Sequence, residues 1–393
     1  MGMKPANSAA GPTLAAVQSG SVIQQLKRVQ SANYSFTVNR QDVNQFGQLS
    51  RIDSLVVDTP TVTMDFSYLL TDGENETLLN FVTDGNTNTI SGHIDPEISN
   101  AGQNFFILTV PEGQDAFKGD SLGTSGSNSV ISLGNGFLSD YSMDASVGAF
   151  PTATVTVEGF NITSTSTGVS NIPIPAIDPR DGSKICDKTF SLPATTTGSG
   201  IAALRPGDIT IDLQNAGLFS KQVDGNVNNP VGGSAHIQSV SISLPLSRSV
   251  LQRLGNTFGF SREIDFPVTA TMTVNALVSE LKDGNMLDLL CGDDAKDLSV
   301  TLRNPECIDC VRGASATGMI FSLKGAILES ESYSSAIGDN KTVDLTFSTQ
   351  VGGPTDTTKG VFISGTSRFM TPPAWTGTAG GGGVYFFSGT PRP

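Results

Sequence analysis

The chain has 393 residues and a formal charge of −14, and only 15% of its residues are charged. Charged residues are thus rarer than the roughly 25% of ordinary globular domains, while its 43 glycines exceed the usual share of about 7%. This composition disfavours a coiled coil, and 37% hydrophobic residues are enough to bury a core. The length and composition indicate a β-rich chain of two or three domains.

The charge balance also restricts the function. The chain has 37 acidic against 23 basic residues, and its densest basic spot is the pair Lys27-Arg28, so a binding surface for nucleic-acid phosphates is not expected. No apolar stretch approaches the 18 residues of a membrane span. Residues 1–20 lack the apolar segment of a signal peptide, which argues against a secreted protein.

Alternation of apolar and polar residues recurs along the chain and predicts strands with one buried face. In chain order the clearest segments are 34–38, 62–68, 154–157, 208–213, 240–244, 271–274 and 343–347. Helical signal is limited to residues 75–82 and, more weakly, 22–29. We therefore predict an all-β fold with one or two short helices.

The sequence contains an internal repeat. Arg40 and Arg248 each follow a predicted strand and begin the pattern Arg-x-x-apolar-x-x-apolar-Gly, 208 positions apart. Later segments match at an offset of 190, with Val155 opposite Leu345, so the second copy is expected to lack 18 residues after its helix candidate. The dipeptide Asp72-Gly73 is expected to close a hairpin in the first copy.

The repeat predicts two tandem β-domains. The expected segments are an N-terminal arm at 1–29, a first β-domain at 30–163, a connecting segment with a strand at 164–234, a second β-domain at 235–351 and a Gly-rich C-terminal arm at 352–393. In that arm, glycines 380–383 precede Val384-Tyr385-Phe386-Phe387. An apolar tetrad after a flexible tether is expected to dock on a surface.

The cysteines do not form the regular framework of a disulfide-stabilised domain. Cys307 and Cys310 form a CxxC motif, which could be half a zinc site or a redox pair, but Cys186 and Cys291 lie 105 positions apart and supply no second pair. The alternative is a loop that contains two thiols.

Catalytic motifs are lacking in the sequence. Neither His93 nor His236 lies beside a Ser or Cys nucleophile motif, so each is expected at the surface or at a cap. The pair Asp293-Asp294 is typical of a turn, with calcium binding as the alternative. We therefore expect no enzyme activity, no catalytic residue, and no metal or cofactor site.

Two segments of the first copy resemble bacteriophage tail tube proteins. Residues 104–116, Asn-Phe-Phe-Ile-Leu-Thr-Val-Pro-Glu-Gly-Gln-Asp-Ala, are similar to one segment of that family. Residues 136–162 are more specific, because 147–152 read Val-Gly-Ala-Phe-Pro-Thr, a corner that leads to an outer strand ending Glu158-Gly159. The corner of the second copy, residues 337–342, lacks the Phe-Pro.

This resemblance implies that each of the two tandem domains is a β-sandwich or half-barrel whose inner sheet joins those of its neighbours around a ring, enclosing a lumen for DNA. Six domains form a ring in that family, so a duplicated chain would close as a pseudo-sixfold homotrimer, and stacked rings would form the tail tube for DNA ejection. It implies a place in the virion tail after assembly in the host cytoplasm, with tape-measure, tail terminator and baseplate or tip proteins as partners. Viral DNA would pass without specific binding, and no membrane would be involved.

In that family a long hairpin loop reaches the adjacent ring, and it maps to residues 40–59 and 248–266 here. The residues expected to make such self-assembly contacts are Arg40, Phe46, Leu49, Arg51, Arg248, Leu254, Phe258 and Phe260. Alternatively, they cover an edge of their own domain. Alternatives for the whole protein are another phage virion protein (capsid decoration or tail fibre) and a secreted β-sandwich adhesin.

Overall fold

The fold is almost entirely β-structure, which confirms the predicted fold class. A computed structural model describes residues 23–94, 102–113, 116, 128–166, 170–177, 189–192, 203–204, 209–213, 235–255, 257–259, 261–278, 286, 295–303, 317–338 and 340–365. Two short helices, α1 (Glu74–Leu78) and α2 (Ser91–Ile94), interrupt the strands of the first half.

The strands fall into two similar series joined by short connecting strands. The first series is β1 (Val29–Thr37), β2 (Arg40–Val43), β3 (Asp53–Val56), β4 (Thr61–Leu69), β5 (Gln103–Thr109), β6 (Ser129–Ser146), β7 (Thr152–Gly159) and β8 (Asn161–Thr165). The connecting strands are β9 (Ile172–Pro173), β10 (Thr189–Phe190) and β11 (Ile209–Asp212). The second series is β12 (Ala235–Pro245), β13 (Arg248–Leu251), β14 (Ser261–Ile264), β15 (Thr269–Val278), β16 (Lys296–Arg303), β17 (Thr317–Ser334), β18 (Thr342–Gln350) and β19 (Gly360–Gly365).

The predicted strands form because their apolar residues share one face. In β4, Val62, Met64, Phe66 and Tyr68 are buried, whereas the residues between them are more exposed. Burial alternates in the same way along β15 and β18. One apolar cluster runs through both series and forms the main core.

Two local predictions are wrong. The dipeptide Asp72-Gly73 does not close a hairpin, because Gly73, with a φ of 85°, is the N-cap of α1. Asp72 Oδ1 there accepts a hydrogen bond from the Glu74 amide at 3.3 Å. The weak helix candidate at 22–29 also fails, since residues 23–26 have no regular structure and β1 begins at Val29.

The pairs β2–β3, β9–β10 and β13–β14 each form a separate two-stranded sheet, and the other thirteen described strands join into one large antiparallel sheet. Its main path runs β1-β4-β7-β6-β12-β15-β18-β17-β16-β11, while β5 and β8 pair with β6 and β19 pairs with β17. The first half of β6 pairs with β5 and β8, and its second half pairs with β7 and β12. We call β1, β4, β7, β12, β15, β18 and the second halves of β6 and β17 the inner sheet.

The two series repeat the same strand registers. The β1–β4 and β12–β15 pairs are both irregular at one residue, Gln30 in the first and Gln238 in the second, 208 positions apart. The β6–β7 and β17–β18 pairs are irregular at Ser139 and Glu329, 190 positions apart. These offsets coincide with those of the sequence repeat, while the limits of the two domains stay a prediction.

Candidate assembly interface

The two series are joined by main-chain pairing between β6 and β12. The paired positions run from Ser239 opposite Ser146 to Pro245 opposite Asp140. Beyond this ladder, the Val147 amide donates to the Gln238 carbonyl at 2.9 Å. The inner sheet therefore continues without a break from one series into the other.

Strand β1 is the counterpart of β12, yet it ends the sheet. Among the described residues, its only strand partner is β4. Tyr34 and Phe36 lie opposite the buried residues Met64 and Val62, on the core face, but they are 46% and 61% exposed. Their counterparts in β12, Ile242 and Leu244, are each 1% exposed. The core face of the inner sheet thus continues onto an uncovered edge strand.

The second half of β17 provides the opposite edge. In the first series, the equivalent second half of β6 pairs with β12. The second half of β17 pairs, among the described residues, only with β18. Tyr333 is 44% exposed there, and Ile337, just beyond the strand, is fully exposed. Unpaired strand edges with exposed apolar residues are prone to pair with another chain.

The β13–β14 hairpin packs against the first series of strands. Arg248 Nε donates to the Leu138 carbonyl at 2.9 Å, and its guanidinium lies 5.5 Å from the centre of the Phe137 ring. Arg262, itself buried, forms an ion pair with Glu158. Burial lowers the pKa of Arg248 to about 10, so the guanidinium still carries its charge at neutral pH.

The other predicted loop residues of this hairpin have different environments. Leu254, at its tip, is fully exposed. Phe258 packs against the cluster formed by Phe137 and Phe160. Phe260 lies outside the described residues. The hairpin base is thus held by the same chain, and a contact of its tip with an adjacent ring stays a prediction.

The β2–β3 hairpin, by contrast, extends into solvent. Its strand residues are exposed except for the half-exposed Ser54. Phe46 and Leu49 are fully exposed, Arg40 is exposed, and Arg51 bonds to Asp42 at 3.1 Å within the hairpin. The four loop residues predicted for the first copy therefore lie together on one projecting hairpin.

The face of the inner sheet opposite the core is polar and acidic. It carries Asp65, Asp140, Asp144, Asp344 and Glu158, and the strand segments of the inner sheet contain no Lys or Arg. One cation reaches the face from the β13–β14 hairpin, where Arg262 pairs with Glu158. The remaining positions on this face are mostly Ser, Thr and Asn. Burial raises the pKa of Asp140 and Asp144 above the usual aspartate value. The polar face could have been predicted from the sequence, because nearly every second residue of these strands is polar.

Hydroxyl groups on this polar face bond to one another across the strands. Ser35 Oγ and Thr63 Oγ1 are 2.6 Å apart, and Thr156 Oγ1 donates to Asp65 Oδ1 at 2.7 Å. On the second series, Asn275 Nδ2 donates to Asp344 Oδ1 at 2.5 Å. The face thus satisfies part of its own hydrogen-bonding capacity.

A buried carboxyl group was not predicted from the sequence. Glu76 Oε1 accepts hydrogen bonds from Tyr68 Oη at 2.8 Å and from Tyr141 Oη at 3.2 Å. All three residues are buried, and burial raises the pKa of Glu76. Tyr141 is 65 positions from Glu76, and Tyr68 lies on a strand while Glu76 lies on a helix, so no regular spacing could reveal the cluster.

His93 differs from its expected place, whereas His236 is exposed as predicted. His93 is buried with its ring 4.9 Å from that of Phe81, and burial lowers its pKa to about 3. The four cysteines and Asp293-Asp294 lie outside the described residues. In the part of the chain that the structure describes, no three His, Cys, Asp or Glu side chains group as metal ligands.

No protein-family model matches the chain, and no curated protein matches it. Among the described helices, none is long and apolar enough to cross a membrane.

Proposed function

We propose that this protein is a structural subunit that polymerises through the two edges of its inner sheet into closed rings, which stack into a tube. In the reading that the tail-tube resemblance suggests, the ring is a homotrimer and the tube is a phage tail that conducts DNA. The following contacts support this proposal.

The contrast between β1 and β12 carries the proposal. Both strands pair with their neighbours in the same register, but only β12 is covered, because it also pairs with β6. Pairing of β1 with the second half of β17 from another chain would repeat the β6–β12 junction. It would bury Tyr34 and Phe36 as Ile242 and Leu244 are buried.

Such pairing is head-to-tail, since one edge of each chain meets a different edge of the next. A head-to-tail interface produces a ring when its rotation closes and a filament when it does not. Because the junction already exists once inside each chain, a ring of three chains would contain six equivalent junctions.

The polar face supports a conduit for DNA. A wall of hydroxyl groups and carboxylates without unpaired Lys or Arg repels phosphates and forms no ion pairs with them. The strands of the inner sheet place Asp65, Asp140, Asp144 and Asp344 on this one face, and Arg262, which reaches it from the β13–β14 hairpin, is paired with Glu158. The core face is mostly apolar, although it includes Glu331, opposite Leu345, so the polar face is the one suited to contact water and DNA in a lumen.

Electron microscopy of the purified protein tests the proposal. Negative staining at high protein concentration is expected to show threefold rings or tubes built from them. A chain that stays a monomer under these conditions, or that binds glycans as an adhesin would, contradicts the proposed function.

A further inference from the structure

An apolar groove opens beside the exposed edge strand of the first series. It has a volume of about 340 Å³ and lies between the inner sheet and β5. Its walls include Leu26, Met64, Phe66, Leu79, Phe105 and Ile107. Phe105 and Ile107 are only partly buried, although they pack on the main core.

The corresponding groove of the second series is filled. The counterparts of Phe105 and Ile107, judged by their pairing with β6 and β17, are Leu298 and Val300, which are at most 1% exposed. There β11, from the segment between the series, pairs with β16 and places Ile211 opposite Val300. An added strand therefore pairs at this position in the second series, whereas β5 pairs only with β6 among the described residues and Leu192 of the connecting segment contributes to the groove wall.

We propose that the chain's own apolar tetrad, residues 384–387, occupies the groove of the first series. This tetrad, Val-Tyr-Phe-Phe, follows four glycines in the C-terminal arm. Its side chains have the size and apolarity that the groove requires, and its residue types favour extended pairing beside a strand such as β5. The proposal does not depend on ring formation.

The arm leaves the described fold close to the groove. Gly365, the last residue of β19, packs closely on Gly73. A Cβ atom placed on Gly73 would lie 3.3 Å from the Cα of Gly365. Helix α1 starts after Gly73, rises about 7.5 Å over its five residues, and leads to Leu79 in the groove wall. Residues 366–383 can span about 60 Å when extended, which is more than this path needs.

A residue of the groove wall also has a buried polar atom without a partner in the described part of the chain. Asn104 lines the groove and is 3% exposed, and its Oδ1 accepts a hydrogen bond from the Asn135 amide at 3.1 Å. Its Nδ2 finds no acceptor among the described residues. A buried donor without an acceptor is costly, so a turn of the Asn104 side chain toward the groove, where an oxygen of the bound arm could accept from it, would be stabilising.

Photo-cross-linking of the full-length chain tests this inference. Benzoylphenylalanine replaces Phe386, and mass spectrometry locates the cross-link after irradiation. We expect an intrachain cross-link to residues 103–109, reduced at least fivefold when the probe is moved to Thr390. Ile107→Glu should reduce the yield similarly, whereas Leu254→Glu, at the exposed hairpin tip, should not; circular dichroism verifies that each variant is folded.

Two outcomes would overturn the inference. One is a cross-link outside the groove; the other is a cross-link that joins isotopically heavy and light chains after mixing, which would assign the arm to a neighbouring chain. Repeating the experiment with Phe36→Asp, which we expect to be monomeric, separates this result from ring assembly. An intrachain cross-link in that variant supports docking of the arm even if no ring forms.

Discussion

Phe36 and Leu244 occupy the same position in two copies of one strand pair, yet Phe36 is 61% exposed and Leu244 is 1% exposed. The difference comes from one neighbour, because β12 pairs with β6 and β1 has no such partner among the described residues. We therefore propose that a strand of a second chain pairs with β1 and buries Phe36.

The same substitution should have opposite effects at these two positions. Phe36→Asp is expected to change the free energy of unfolding of the isolated chain by no more than about 0.5 kcal/mol, while it abolishes assembly. Leu244→Asp buries a charge in the core and should cost about 3 kcal/mol or more. Urea unfolding and sedimentation velocity measure the two effects. A destabilised Phe36→Asp monomer, or one that still assembles, would contradict this account of β1.

The two hairpins allow a second matched comparison. Arg248→Ala removes the hydrogen bond to the Leu138 carbonyl and the contact with Phe137, and should cost about 1–3 kcal/mol of stability. Faster hydrogen exchange within residues 248–264 should accompany it. Arg40→Ala, at the equivalent position of the exposed hairpin, should leave the stability of the isolated chain unchanged. Equal losses in both variants would refute the distinction between the hairpins.

Glu76 should make stability depend on pH. Its raised pKa means that the folded chain retains this proton at pH values where the unfolded chain has lost it. The free energy of unfolding should therefore fall as pH rises from about 4.5, the ordinary value, through the raised pKa of the folded state. Glu76→Gln can still accept hydrogen bonds from Tyr68 and Tyr141, so it should flatten this profile and be the more stable protein at pH 8.

Urea unfolding across pH 4 to 8 measures the Glu76 effect. Glu74→Gln is the control on the same helix, since Glu74 pairs with Lys27 at 2.5 Å and is partly exposed. Glu74→Gln should leave the pH dependence of the free energy of unfolding unchanged. A Glu76→Gln profile parallel to that of the unchanged chain would show that Glu76 does not titrate in this range.

The polar face of the inner sheet should acquire DNA affinity when its charge is reversed. Asp65→Lys with Asp344→Lys places two unpaired cations on strands that carry none, outside the Arg262–Glu158 ion pair, so binding of duplex DNA should rise at least tenfold and weaken with salt. Fluorescence anisotropy of labelled DNA measures the change. Asp53→Lys with Glu112→Lys, at exposed positions off this face, is the control. An equal gain in the control would remove the special role of the polar face.

The alternating strands could be predicted because each has one buried and one polar face. β4, β7, β12, β15 and β18 all show this pattern. The full length of β6 could not be predicted in this way. Residues 132–138 are buried consecutively, where β6 passes from one set of partner strands to the other, so they show no alternation. Asp72-Gly73 misled because a left-handed glycine suits a helix N-terminus here as well as a turn.

The assembly edges could be predicted only in part. The repeat identifies β1 with β12, but the exposure of Phe36 depends on which strand lies beside each copy, and that is a tertiary fact. The projecting β2–β3 hairpin and the docked β13–β14 hairpin have the same sequence pattern. Their difference arises because Arg248 finds Leu138 in the same chain, whereas the equivalent neighbour of Arg40 would belong to another chain.

Disulfide trapping tests the central claim most directly. In the junction inside the chain, Ser243 lies opposite Ser142, so the repeat predicts that Ser35 lies opposite Ser332 of the next chain. With the native cysteines replaced by Ser, Ser35→Cys with Ser332→Cys should oxidise to a covalent series ending in a closed trimer, since opposed residues have suitable spacing. Ser142→Cys with Ser243→Cys should form an intrachain bond under the same conditions. Formation of that control bond without any bond between chains would contradict the account.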